Sequence, residues 1–158
     1  MKKVSAIIVN WNGKDILSKC LQSLLKQEYE NLEIWVSDNG SEDGSQSMLK
    51  ELYPSVHLVE NGENLGFGSA VNRALGKAQG DYLLFLNNDL ELAPDCVGQL
   101  VNLLESDKEI GAPIPKILYH RDAQEPSPND SAAINSFGVV VNYTGVAYPY
   151  LVGRQDED

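Results

Sequence analysis

Apolar and polar positions alternate along the first two thirds of the chain in a rhythm that predicts strands and helices in turn. Short, nearly continuous apolar runs are typical of strands covered on both faces, and apolar residues spaced three and four apart are typical of helices. The predicted strands cover residues 4–9, 32–37, 56–59 and 82–87, and the predicted helices cover 15–26, 41–53, 67–78 and 94–106. Ser41 is the predicted N-cap of the second helix. This order predicts an α/β fold with a mostly parallel, Rossmann-like sheet flanked by helices.

The strand and helix rhythm ends near residue 110. Residues 114–119 and 137–141 can form strands, but residues 122–131 between them are polar and contain proline. A chain of 158 residues, 42% of them hydrophobic, is long enough for one well-buried domain. We therefore expect an α/β domain over residues 1–110 and an extension over residues 111–158 that is not a domain by itself.

Charge and composition exclude several classes of protein. The chain has 12 lysines and arginines against 23 acidic residues, a formal net charge of −11, which argues against nucleic acid as a partner. Any anionic ligand would have to be neutralised locally, by a metal ion or a helix N-terminus. The sequence shows neither a membrane-spanning apolar stretch nor a secretory leader, so we expect a cytoplasmic protein in which Cys20 and Cys96 are buried, reduced thiols.

Polar residues follow three of the four predicted strands. Residues 10–13 come after the first strand, residues 38–41 after the second and residues 87–89 after the fourth. The carboxyl ends of parallel strands meet at one edge of a sheet, where α/β proteins bind their ligands. The three clusters are therefore expected to line one pocket, although asparagine, aspartate and glycine are also ordinary turn residues.

Asp38 is suited to reading a nucleotide base. A carboxylate at a strand tip can accept the N3 hydrogen of uracil or thymine, while Asn10 and Asn12 supply amide contacts to the base or ribose. The alternative is structural: Asp38 and Asn39 form an Asx turn into the next helix. The two interpretations are compatible, and both remain open at this stage.

Asp89 is the candidate metal ligand. It ends a strand beside the amides of Asn87 and Asn88, and Mg²⁺ or Mn²⁺ prefers oxygen ligands, taking one or two from the protein and the rest from water and substrate phosphates. Such a cation would let a protein of this charge hold a diphosphate. The alternative is again a plain turn.

Residues 64–70, NLGFGSA, place glycines at the start of a predicted helix. They do not form the dinucleotide fingerprint, because Val71 occupies the third glycine position and the segment does not follow the first strand. Exposed N–H groups at such a helix start still favour phosphate, although a helix-entry turn without a ligand is the alternative.

A phosphorelay receiver, another α/β protein with aspartates at its strand ends, is disfavoured. Such a receiver needs paired carboxylates after the first strand, and the first strand here ends in amides.

Taken together, the segments VSAIIVNWNG, IWVSDNGSEDGS and NLGFGSAVNRALGKAQGDYLLFLNNDLELAP resemble the family 2 glycosyltransferases, which have the GT-A fold. The elements VNWNG and LNND are similar to those of the rhamnosyltransferase-like branch. The resemblance implies transfer of a sugar, with rhamnose as a candidate, from a UDP- or dTDP-linked donor to an acceptor hydroxyl. It further implies a divalent metal, Mg²⁺ or Mn²⁺, inversion at the sugar carbon, and a glycan or lipid-linked acceptor in polysaccharide biosynthesis.

The resemblance also assigns roles to individual residues. Asp89 matches the metal-contacting member of an Asp-x-Asp-type motif, and Asp38 matches the base-reading aspartate. The other residues that match the donor site are Asn10, Asn12, Asn39, Gly66, Phe67, Asn72, Asn87 and Asn88. Ala74 departs from the family pattern, which commonly has glycine there.

Length is the largest departure from the family pattern. Family members continue into an acceptor half that supplies a general base, and that half is the expected place of any peripheral membrane contact. We therefore expect the chain to be a donor-binding half whose C-terminal part is incomplete, with residues 156–158 as a solvated tail. The alternative is a nucleotide-sugar-binding module that lacks the general base and is catalytically incomplete.

Overall fold

The computed structural model describes residues 1–118, 134–137, 139–141 and 147–149, and the structural statements below concern these residues. The chain divides into two compact units, Met1–Val101 and Asn102–Asp158, which are described separately. The division predicted between residues 110 and 111 stays a prediction.

Strands and helices alternate through the first unit as the sequence predicts. The strands are β1 (Val4–Asn10), β2 (Leu32–Asp38), β3 (His57–Glu60) and β4 (Tyr82–Asn87). The helices are α1 (Lys14–Leu24), α2 (Ser45–Leu52), α3 (Phe67–Leu75) and α4 (Cys96–Ser106), the last of which continues past residue 101. Each predicted element of this region is present, with ends that differ by a few residues.

The start of α2 differs most from the prediction. The N-cap is Gly44, in the left-handed region at φ 86°, and the prediction that Ser41 caps this helix is wrong. The backbone N–H and hydroxyl of Ser41 instead donate to Asp38. Because that bond closes a local turn, the helix begins four residues later than the predicted cap.

The four strands form one parallel sheet in the order β3-β2-β1-β4. Asn10 pairs in register with Asp38, and Val9 pairs with Asn87. The carboxyl ends of β1, β2 and β4 therefore lie side by side. The predicted α/β class with a parallel sheet is confirmed.

The central strand β1 is buried on both faces, which explains its continuous apolar sequence. On one face Ile7 packs with Val59 and with Ala74 of α3. The other face carries the larger core, made of Ala6, Ile8, Leu17, Cys20, Leu21, Leu24, Ile34, Val36, Met48, Leu49, Tyr53, Val56 and Leu86. A strand between two packed layers has no solvated face, so period-two alternation is absent.

Strand β4 is less buried than its sequence suggests. The apolar run over residues 82–86 predicts a fully buried strand, and this prediction is wrong within the described structure, because Leu83 is 43% exposed and Phe85 48% exposed. Strand β4 is an edge strand of the four-stranded sheet, and α3 contacts β1 and β2 on that face. An apolar run does not reveal whether its strand is central or at an edge.

The second unit contains two antiparallel strand pairs in its described part. Strand β5 (Lys116–Leu118) pairs with β6 (Ile134–Phe137), and β7 (Val139–Val141) pairs with β8 (Ala147–Pro149). The predicted strand 114–119 is present in shortened form as β5. The predicted loop 122–131 and the acidic residues 156–158 lie outside the described residues. Within the described part of the chain, every helix is too short or too polar to cross a membrane.

Candidate functional site

Asp38 is the most heavily hydrogen-bonded side chain at the carboxyl edge of the sheet, and it is fully buried. Its Oδ1 accepts from Ser41 N at 2.8 Å and from Gln46 Nε2 at 2.7 Å. Its Oδ2 accepts from Asn10 Nδ2 at 2.9 Å and from Ser41 Oγ at 2.8 Å. The carboxylate thus organises the start of the β2–α2 loop, which is the structural role considered for it. To contact a base directly it would have to exchange one of these bonds.

The ends of β1 and β4 are joined by a bond between two amide side chains. Asn88 Nδ2 donates to Asn10 Oδ1 at 2.9 Å, and Asn10 is fully buried. Gly13 lies against this bond: a Cβ atom built on it would lie 2.4 Å from Asn88 Nδ2 and 2.9 Å from Asn10 Oδ1. The absence of a side chain at residue 13 is therefore what lets the two amides meet.

Asn12 joins the β1–α1 loop to the β2–α2 loop. Its backbone has φ 51°, in the left-handed region that asparagine tolerates better than most residues. Its backbone N–H donates to Ser41 Oγ at 2.8 Å, and its Oδ1 accepts from Glu42 N at 2.8 Å. The residue is exposed, so it lies at the surface of the network.

Asn39 joins the end of β2 to the loop that precedes α3. It is 3% exposed, and its Nδ2 donates to Asn64 Oδ1 at 3.2 Å and to the Gly66 carbonyl at 3.4 Å, while its Oδ1 accepts from Asn61 Nδ2 at 2.9 Å. Gly66 has φ 76° and ψ 171°, a conformation that is essentially restricted to glycine. The backbone of the helix-entry turn is therefore held directly by the β2 tip.

The other predicted site residues have exposed side chains. Asn87 and Asp89 are exposed at the carboxyl end of β4, Phe67 is 54% exposed as the first residue of α3, and Asn72 is exposed one turn and a half later. The predicted set thus has two parts. Asn10, Asp38 and Asn39 are buried connectors, and the residues at the surface are the ones available to a ligand.

Asp89 is a single carboxylate and not a member of a ready-made metal cage. Among the described residues there is no group of three or more histidine, cysteine, aspartate or glutamate side chains that could hold a metal ion. A hard cation that takes one or two protein oxygens and completes its shell with water and phosphate fits such a site. A zinc or iron centre, which needs several nitrogen or sulfur ligands, does not.

The two cysteines are free, as predicted. Cys20 is buried, but the prediction that Cys96 is buried is wrong, because it is only half-buried. Burial, together with the nearby carboxylates of Asp89 and Glu91, raises the pKa of the Cys20 thiol to about 12. Burial and then Asp95 raise the pKa of Cys96 as well. Both therefore stay protonated at neutral pH, which makes them poor nucleophiles and poor metal ligands.

Three further residues belong to the network, of which the sequence singles out only Ser41, as a helix cap. Gln46 and Ser41 complete the shell around Asp38, and Asp43 Oδ2 accepts from Lys14 N at 2.7 Å while its Oδ1 accepts from Ser45 N at 3.0 Å. Asp43 thereby serves the N-termini of α1 and α2 together. In the sequence these three are simply polar residues three to eight positions after Asp38. That spacing does not reveal which polar side chains of the loop form hydrogen bonds within the site.

A parallel four-stranded sheet flanked by helices, with polar residues at its carboxyl edge, is the architecture of the GT-A fold. A solved relative with this architecture is a mannosyltransferase, PcManGT, from Pyrobaculum calidifontis in complex with GDP-Man and Mn²⁺. It matches with a TM-score of 0.62 and 26% identity over 74% of this chain and 34% of that one. The predicted fold is confirmed.

The chain belongs to glycosyl transferase family 2, whose family model matches residues 5–144. An uncharacterized glycosyltransferase of Bacillus subtilis, YfnE, is 38% identical over 68% of this chain and 28% of its own length. The Escherichia coli protein WfaP, a UDP-Glc:α-D-GlcNAc-diphosphoundecaprenol β-1,3-glucosyltransferase, is 30% identical over 68% of this chain and 43% of its own. The chain thus spans less than half the length of these relatives.

Proposed function

We propose that this chain forms the donor-binding half of a glycosyltransferase that moves a sugar from a nucleotide-diphosphate donor to an acceptor hydroxyl. The observation that carries the proposal is the place of Asp89, an exposed carboxylate at the carboxyl end of β4, in a fold whose Pyrobaculum relative was solved with GDP-Man and Mn²⁺. Family 2 membership and the hydrogen-bonded strand ends support it.

Each part of the site has a role in this proposal. Asp89 would hold Mg²⁺ or Mn²⁺, and when bound the cation neutralises the donor diphosphate in a protein of net charge −11. The exposed start of α3 at Phe67 offers backbone N–H groups to a phosphate, and Gly66, whose own N–H donates to Asn64 Oδ1, forms the turn that leads into it. Asn12, Asn72 and Asn87 present amides at the surface, while Asp38, Asn10 and Asn39 hold the strand ends and loops beneath them.

The finer features of the activity are proposals as well. We propose a UDP- or dTDP-linked donor, with rhamnose as a candidate sugar, and an inverting reaction on a glycan or lipid-linked acceptor. The name of WfaP supports two parts of this proposal, because it gives that relative a UDP-linked donor and a lipid-linked acceptor. A contribution to polysaccharide biosynthesis, a cytoplasmic location and peripheral membrane contact by the whole protein stay predictions. Inversion needs a general base for the acceptor hydroxyl, and none of the site residues above is assigned to that step.

Replacing Asp89 tests the metal site. Isothermal calorimetry with UDP in the presence of Mn²⁺, and again with EDTA, measures the gain in affinity that the metal provides. In Asp89→Ala we expect that gain to fall at least about tenfold, because charge-assisted contact to the cation is lost. Asp95→Ala is the matched control: it removes an exposed carboxylate six residues away and is expected to leave the gain unchanged. Equal metal-dependent binding by Asp89→Ala and the wild type would remove Asp89 from the site.

A second candidate function follows from the coverage of 28% and 43% of the two relatives: a binding module that holds the donor without turnover. Product analysis with a radiolabelled UDP- or dTDP-sugar separates the two. Donor that is bound but neither transferred nor hydrolysed by this chain favours the module, and sugar transfer by this chain favours the enzyme.

A further inference from the structure

We propose that Asn88 is a positioning residue whose amide orientation is dictated by Asp38 through Asn10, and that this directed chain of hydrogen bonds holds the turn that carries Asp89. The inference concerns the site of the proposed function, and its meaning for metal binding rests on that function. The hydrogen-bond chain itself is a property of the fold and can be tested without any ligand.

The chain of hydrogen bonds starts at the Asp38 carboxylate, which can only accept hydrogen bonds. The carboxylate of Asp38 has no donor, so the side chain that meets its Oδ2 must present an N–H or O–H group. Asn10 meets it with Nδ2 at 2.9 Å, and the same Nδ2 donates to Ser41 Oγ at 3.2 Å. Turning the Asn10 amide round would place its carbonyl oxygen against the carboxylate in a fully buried position, where repulsion between acceptors is weakly screened. The orientation of Asn10 is therefore determined.

The orientation of Asn10 in turn determines what residue 88 must offer. Asn10 Oδ1 points to the β4 turn and accepts from Asn88 Nδ2 at 2.9 Å. An aspartate at residue 88 would set a carboxylate against this carbonyl oxygen, and Asn10 could not turn to accommodate it. Gly13 packs so closely on the pair that the amides have little room to move apart.

The proposal explains why an amide, Asn88, stands directly before Asp89 in the sequence Asn87-Asn88-Asp89. Residue 88 is next to the proposed metal ligand, yet its side chain is used inward, as a donor to Asn10. A carboxylate at residue 88 is incompatible with this bond, so residue 88 cannot supply a second charge beside Asp89. The same bond ties the proposed metal end of the site to the β2 tip, where Asp38 lies.

The test reverses the direction of the hydrogen bonds that run from Asp38 through Asn10 to Asn88. In Asp38→Asn the new amide can still accept from Ser41 N and Gln46 with its oxygen, and it can donate to an Asn10 that has turned round. The turned Asn10 then presents Nδ2 to residue 88, where a carboxylate is a good acceptor. We therefore expect Asn88→Asp to be costly in the wild-type chain and nearly free of cost in Asp38→Asn.

Urea unfolding of the whole chain at neutral pH measures this coupling. Asn88→Asp is expected to lower the folding equilibrium constant at least about tenfold in the wild-type background and less than about threefold in the Asp38→Asn background. Asn87→Asp is the matched control. It adds the same charge at the neighbouring exposed residue, and its effect is expected to be the same in both backgrounds.

Nuclear magnetic resonance provides a signature that a general loss of stability would not produce. In the wild type the side-chain NH₂ protons of Asn10 should show nuclear Overhauser effects to the Ser41 side chain. In the double variant they should show them to the side chain at residue 88. This exchange of partners reports the turning of one amide group.

Several results would overturn the proposal. An equal cost of Asn88→Asp in both backgrounds, or unchanged Asn10 contacts in the double variant, would show that Asp38 does not dictate the orientation of the Asn10 amide. If neither variant folds, the wild type still decides, because the Asn88 side-chain amide should exchange with solvent at least about tenfold more slowly than that of the exposed Asn72; equal rates refute the bond. None of these measurements needs nucleotide or metal, so they separate a failure of this inference from a failure of the Asp89 experiment.

Discussion

Glu33 allows a stability prediction in which magnitude and pH dependence are both determined. Its side chain on β2 is 11% exposed and forms an ion pair with Lys3 Nζ at 2.5 Å. It also accepts from Ser5 Oγ at 2.5 Å and from Gln79 N at 2.7 Å. Burial alone would raise the pKa of Glu33, but the hydrogen bonds from Lys3, Ser5 and the Gln79 backbone outweigh it and lower the pKa from 4.5 to about 2.

The size of the effect follows from that shift. Each pKa unit corresponds to about 1.4 kcal/mol, so the ionised Glu33 contributes about 3 kcal/mol to the free energy of unfolding at neutral pH. Because the folded-state pKa is the lower one, the contribution is complete above the unfolded value of 4.5 and is lost as the pH falls from there towards 2. Glu33→Gln keeps an acceptor for Ser5 and Gln79 but loses the charge, so most of this amount should disappear.

Urea unfolding of the wild type and Glu33→Gln across a pH series provides the assay. We expect the free energies of unfolding of the two proteins to differ by about 2–3 kcal/mol at neutral pH. The difference should shrink by about 1.4 kcal/mol per pH unit once the pH is below the pKa of Glu33 in the unfolded chain. Glu60→Gln is the control, because Glu60 pairs with Lys50 at 2.6 Å but the two side chains are 45% and 59% exposed. It should cost less than about 1 kcal/mol. A pH-independent difference, or a Glu33→Gln variant as stable as Glu60→Gln, would refute the reasoning.

Two further predictions concern the loops of the site. Gly13→Ala should displace the Asn88 amide and lower the free energy of unfolding, measured with urea, by about 1–3 kcal/mol. Gly68→Ala is the control: a Cβ atom there meets nothing within 4 Å, so this variant should be as stable as the wild type or more stable. Equal effects of the two substitutions would contradict the close packing at residue 13. Asp43→Ala should cost about 1 kcal/mol because the N-termini of two helices lose an acceptor. Burial alone would raise the pKa of Asp43, but hydrogen bonds from Ser45 and the Lys14 backbone lower it, so this contribution should be complete above the usual aspartate pKa and be lost as the pH falls from there through the lower pKa of the folded state.

The local pattern of the sequence determined the elements and the candidate site region. Strand and helix periods are properties of neighbouring residues, and the ends of parallel strands meet at one edge in any sheet of this class. For this reason the sequence alone predicts that Asn10, Asp38 and Asn88 lie close together. The start of α2 was assigned wrongly because the turn at Ser41 depends on a bond to Asp38, which competes with helix capping.

Tertiary structure alone decided which of these polar residues are buried in hydrogen bonds and which are exposed. Whether Asp38 faces a ligand or lies buried under four hydrogen bonds depends on Asn10, which reaches it from the neighbouring strand, as well as on Ser41 and Gln46 in the segment that follows it. Whether Leu83 and Phe85 are covered depends on which strand lies at the edge of the sheet. Periodicity is a local property, whereas burial and hydrogen-bond pairing join residues that are distant in sequence. The chain by itself therefore determined the elements and where the candidate site lies, and the packed fold determined which of its residues remain available to a ligand.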